Sequence, residues 1–90
     1  MHELSLMADL FRKIERVARE QGARRVTGVT VRLGALSHVS AEHLREHFSA
    51  MSQGTVAEGA QLSIESCSGP DEPGAQDVVL ESIEVEVPVP

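Results

Sequence analysis

Ninety residues with eight Lys and Arg against fourteen Asp and Glu, a formal charge of −6, make one small acidic domain, near the lower limit of what a single apolar core supports. Phosphate contacts need cations and base stacking needs rings, so an acidic chain with two Phe, no Tyr and no Trp argues against nucleic acid and anionic membranes as partners. The lone Cys67 cannot close an internal disulfide. With no apolar run near the ~20 residues of a membrane span and no basic-then-apolar leader, the expectation is a cytoplasmic protein with an aliphatic core.

From Leu4 to about Gln21 the apolar residues Leu6, Met7, Leu10, Phe11, Ile14, Val17 and Ala18 recur at helical spacing, with Arg12, Lys13, Glu15, Arg16, Arg19 and Glu20 opposite them. Gly22 stands where a glycine stops a helix. Val26 to Leu33 alternates as a half-buried strand, closed by Gly34. Ser40 is placed to N-cap a second helix with Glu42 in its first turn, on which Ala41, Leu44, Phe48 and Met51 share a face. Gln53-Gly54 ends that helix, and a short strand follows from Gln61 to Glu65. The Pro- and Gly-bearing stretch Ser66 to Gln76 reads as a loop. A last strand runs from Val78 to Val87, where Val78 and Leu80 differ in parity from Ile83, Val85 and Val87, so a bulge is expected near Glu81-Ser82. The order predicts an α+β domain over residues 1–90, a small mixed or antiparallel sheet of about three strands with two helices on one face.

The chemistry is concentrated in the first three residues. The α-amine of Met1, the backbone nitrogen of His2 and the His2 imidazole can close fused chelate rings around one ion, with the Glu3 carboxylate beside them. That planar nitrogen set suits Ni(II) or Cu(II) better than tetrahedral Zn(II). His43 and His47, four apart on the predicted second helix, share a face and read as polar histidines on its exposed side. His38, in the connector before that helix, is the candidate for a further ligand. Ser37 and Ser40 beside it lack a nucleophile elbow or oxyanion-forming glycines, so no enzyme activity is expected.

The opening Met-His-Glu-Leu-Ser-Leu resembles that of the HypA/HybF family, the nickel metallochaperones of NiFe hydrogenase maturation. So do Gly22 to Val29, the turn Leu33-Gly34-Ala35-Leu36-Ser37, the run Gly54 to Ala60 and the closing Ser82-Ile83-Glu84-Val85-Glu86. The resemblance implies Ni(II) delivery to the hydrogenase large subunit with a maturation GTPase, through a site on Met1, His2 and Glu3. It also implies a four-cysteine zinc ribbon inserted before the last strand. Here residues 66–77 stand in its place with Cys67 alone. One thiolate cannot close a tetrahedral zinc site, so no structural zinc is expected. A supporting carboxylate found in some relatives corresponds to Ser40. The alternative reading is a nickel-free adapter or regulatory paralogue that docks on the same maturation partners. Free strand edges in so small a sheet are compatible with either a monomer or a homodimer.

Overall fold

The computed structural model describes residues 3–34, 40–66 and 78–88. Helix α1 (Glu3–Glu20) buries Met7, Leu10, Phe11, Ile14 and Ala18, the stripe expected of an amphipathic helix, and leaves Arg12, Arg16 and Arg19 exposed. It ends in a Schellman turn. Gly22 adopts φ +64°, its N–H donates to the Arg19 carbonyl at 3.0 Å, and the Ala23 N–H donates to the Ala18 carbonyl at 2.9 Å. The chain thereby reverses within a few residues and enters strand β1 (Arg25–Leu33).

β1 is the central strand of a three-stranded sheet ordered β2-β1-β3. It pairs in parallel with β2 (Gln61–Ser66) and antiparallel with β3 (Val78–Glu86). Parallel neighbours cannot be joined by a hairpin, and helix α2 (Ala41–Ser52) makes the crossover from β1 to β2. The core gathers α1, Leu44 and Phe48 of α2, Leu62 of β2 and Val26, Val29, Val31 and Leu33 of β1, so both helices pack on one face of the sheet. Residues 53–60 close the bottom of this layer. Ala57 is fully buried, and the Val56 carbonyl accepts from the Val26 N–H at 2.9 Å, satisfying β1 where β2 has not yet begun. Along the edge of the sheet, Arg45 of α2 donates to the Leu62 carbonyl at 2.8 Å.

Two bulges set which side chains reach the core. The expected one lies at Glu81: Thr30 faces Ser82 and Val31 faces Leu80, leaving Glu81 unpaired. A second lies at Thr27, because Val26 faces Val85 while Gly28 faces Glu84. One extra residue sits on each strand, so the two shifts cancel. Val26 joins Val29, Val31 and Leu33 on the core face despite its opposite parity, just as Val78 and Leu80 join Ile83 and Val85. The element bounds otherwise fall within one residue of the sequence reading. One detail differs: Ala41 is exposed and Ser52 is buried in its place. Burial on α2 slides toward its C-terminal end, where residues 56–60 cover the helix and the Ser52 hydroxyl finds the Ser49 carbonyl at 3.1 Å.

Ile14 is completely buried, so Ile14→Val is expected to lower unfolding free energy by about 0.5–1.5 kcal/mol. Gly22→Ala places a Cβ in the left-handed region and is expected to cost about 1–2 kcal/mol. Urea unfolding at constant m-value checks both; a Gly22→Ala protein as stable as wild type would contradict the turn described above.

Candidate metal centre

The topology assembles one end of the molecule from several chain segments. α1 turns back tightly into β1, and α2 links the end of β1 to the start of its parallel neighbour, so both helices run against β1 and alongside each other. The Phe11 and Phe48 rings stack with centroids 5.2 Å apart and planes at 26°, which fixes the level of one helix against the other. Eight residues upstream of these rings lie Glu3, the first residue of α1, and Ser40, the N-cap of α2. At the same end Leu33 pairs with both Ser66 and Val78, so β1 and β2 finish there and β3 begins there.

Met1, His2 and His38 lie outside the described residues, as do Cys67 and residues 68–77 of the expected loop. The described residues that flank them all stand at this pole: Glu3, Gly34, Ser40, Ser66 and Val78. Among the described residues, no group of three or more His, Cys, Asp and Glu side chains is placed to hold a metal. Ser40 is exposed, and its hydroxyl accepts from the His43 N–H at 3.1 Å, with φ −80° and ψ 149°. That oxygen therefore serves the helix. Glu42 and His43, in the first turn of α2, are exposed at the pole, whereas His47 lies further along that helix and is half-buried.

The first four N–H groups of a helix have no partner within it, so those at the start of α1 and α2 carry no bond from their own helix. The positive ends of two helix dipoles point to this pole and oppose a bare cation. The exposed Glu42 carboxylate in the first turn of α2 offsets that field. Beside the pole an open depression of about 530 Å³ separates α1 from β3, lined by Ser5, Leu6, Asp9, Arg12, Lys13, Val78 and Val79. Asp9 bonds Lys13 at 3.1 Å and Arg12 at 3.2 Å. Hydrogen bonds from Lys13 and then Arg12 hold its carboxyl below the usual range. Helical spacing alone places Arg12 and Lys13 opposite the apolar stripe. The i, i+3 and i+4 spacing of Asp9, Arg12 and Lys13 carried the signal for the ion pairs, but nothing in it revealed that β3 forms the opposite wall.

A family model described as hydrogenase/urease nickel incorporation, metallochaperone, HypA, matches residues 1–70. This chain belongs to the HypA family. It is similar to the hydrogenase maturation factor HypA of Rhodopseudomonas palustris, 46% identical over 69 residues, covering 77% of this chain and 61% of the relative. The Methylocella silvestris HypA is 44% identical with the same coverage. The chain thus spans less than two thirds of the length of either relative. Against the HypA of Archaeoglobus fulgidus the identity is 36%, covering 97% of this chain and all of the relative. That alignment runs over 110 positions, more than the chain possesses, so part of the relative has no counterpart here. The fold matches the solution structure of the Ni metallochaperone HypA from Helicobacter pylori with a TM-score of 0.82 at 20% identity, covering 98% of this chain and 100% of that one.

Two outcomes follow from the polar contacts of this HypA-family chain. A depressed carboxyl pKa stabilises the fold above its unfolded value, and the contribution fades as pH falls through the lowered value. Lys13→Met is therefore expected to move the Asp9 midpoint back up toward an ordinary carboxylate, as NMR titration would show. Ser40→Ala removes the α2 cap and is expected to cost about 0.5–2 kcal/mol in a denaturation series.

Proposed function

We propose that this chain is a nickel-binding accessory protein that carries Ni(II) as cargo to the large subunit of a NiFe hydrogenase, working with a maturation GTPase. It acts by binding and transfer and catalyses no bond chemistry of its own. The observation that carries this reading is the opening of α1 at Glu3, directly behind Met1 and His2, within a family match that starts at residue 1. The ligands are the Met1 α-amine, the His2 nitrogen and imidazole, and the Glu3 carboxylate. His38 supplies a further donor from a connector that starts and ends at the same pole. No helix among the described residues is long and apolar enough to cross a membrane. We place the chain in the cytoplasm, in keeping with its lone cysteine.

We read residues 66–77 as the place where relatives carry a zinc ribbon, and take the chain to work without structural zinc. The unmatched positions of the Archaeoglobus relative support this. With Cys67 the sole thiol, the chain lacks the sulfur ligands such a site needs. A second reading, a nickel-free adapter for the same maturation partners, draws on Ser40, whose hydroxyl is committed to capping α2 and brings no carboxylate to the pole.

Calorimetric titration of tag-free protein with Ni(II) separates the two. The expected result is one tightly bound equivalent, lost in His2→Ala and after acetylation of the leading amine. Because the imidazole must be neutral to bind, affinity falls as pH drops below ~6.5. Equal nickel uptake by wild type and His2→Ala would remove the proposal. Undiminished capture of the GTPase by a protein that binds no nickel would favour the adapter.

A further inference from the structure

Helix α2 carries two further imidazoles, at positions four residues apart whose side chains neighbour each other on a helix surface. His43 is exposed in the first turn and His47 is half-buried in the second. The run His43-Leu44-Arg45-Glu46-His47 has the H-x-x-E-H spacing by which a helix offers two imidazoles to one metal with a carboxylate alongside.

The fold decides which way this row looks. Arg45 donates to the Leu62 carbonyl on β2, which fixes that flank of α2 over the β2 edge. Leu44 and Phe48 point down into the core, so positions 43 and 47 fall on the other flank, toward α1, whose Phe11 stacks on Phe48. Glu42 and Glu46 are exposed on the adjoining ridge and offset the positive end of the helix dipole. The two helices open at one level, so His43 stands at the pole where α1 begins.

We propose that His43 and His47 form a second, open site for a divalent first-row transition-metal cation, separate from the terminal chelate. Two imidazoles select Cu(II), Ni(II) and Zn(II) over Mg(II) and Ca(II), with Cu(II) the tightest. No group of three His, Cys, Asp and Glu side chains converges among the described residues, so water fills the remaining positions and the ion exchanges readily. His47 also makes an interaction within the fold; an imidazole has two ring nitrogens, and a metal needs one of them. Such a site holds an ion loosely beside the terminal one, as a protein that takes up and passes on metal requires.

The test uses the full chain carrying His2→Ala, titrated with Zn(II) alone and followed by the ring 1H–15N resonances of the histidines. The expected result is one equivalent bound, with the His43 and His47 rings shifting together. Substituting even an outer-sphere partner costs 10–100-fold in affinity, so His43→Ala is expected to weaken binding by at least about tenfold. His43 is exposed, so that variant should keep the wild-type circular dichroism, which also serves as the control for His47→Ala. In protein with an intact first residue, His43→Ala removes this equivalent and leaves the one lost in His2→Ala, so the failure of either site shows separately. Rings unmoved at millimolar Zn(II), or equal affinity in His2→Ala with and without His43→Ala, would overturn the proposal.

Discussion

The stack of Phe11 on Phe48 joins the two helices over the sheet. These are the chain's two aromatic residues, and the fold spends both on one contact between α1 and α2 at a centroid distance of 5.2 Å. Such a pair adds about 0.5–1.5 kcal/mol beyond the area it buries, a large increment for a domain whose other core residues are aliphatic. Its geometric effect is larger still. By pinning one helix against the other it brings both N-termini to one level, and with them the ends of β1 and β2 and the start of β3. A slip of one turn would displace the start of one helix by ~5 Å along its axis and separate the donors that the pole presents.

That arrangement divides the molecule into a rigid part and an exchanging part. Among the described residues the buried core holds no imidazole, thiolate or carboxylate for a metal. The donors proposed for nickel sit just before α1 and at its first residue, and in a connector that follows the end of β1. Loading or releasing an ion therefore need not disturb Val29, Val31 or Leu44. The helix ends contribute free amide groups and a field that favours anionic ligands. An amide-based chelate fits that field better than a purely neutral set of donors does.

The compensating bulges at Thr27 and Glu81 show how a short sheet reconciles an irregular pattern with one continuous core. A lone extra residue would turn every side chain beyond it to the opposite face. One on each strand restores the register, keeps Val26 and Val85 inside, and leaves Thr30, Ser82 and Glu84 on the uncovered face. Arg32 crosses that face to Glu81 at 2.6 Å, so the unpaired residue also supplies an ion-pair partner.

Periodicity made α1 legible because its stripe of Met7, Leu10, Phe11, Ile14 and Ala18 repeats over about three turns, and local chemistry marked its end at Gly22 and the cap at Ser40. The Glu81 bulge was legible too, since Val78 and Leu80 could not otherwise join Ile83 and Val85. Its counterpart at Thr27 was not: a single Val26 out of phase, with Gly28 between, is too short a pattern to reveal a shift that depends on the partner strand. Likewise the chelate proposed on Met-His-Glu rests on the sequence alone, because three donors adjacent in the chain are adjacent in space whatever the fold. That Glu42 and His43 stand at the same pole, and that β3 walls the depression beside Asp9, depends on which strands pair and where two rings stack. Those are contacts between residues far apart in the chain, and no local pattern encodes them.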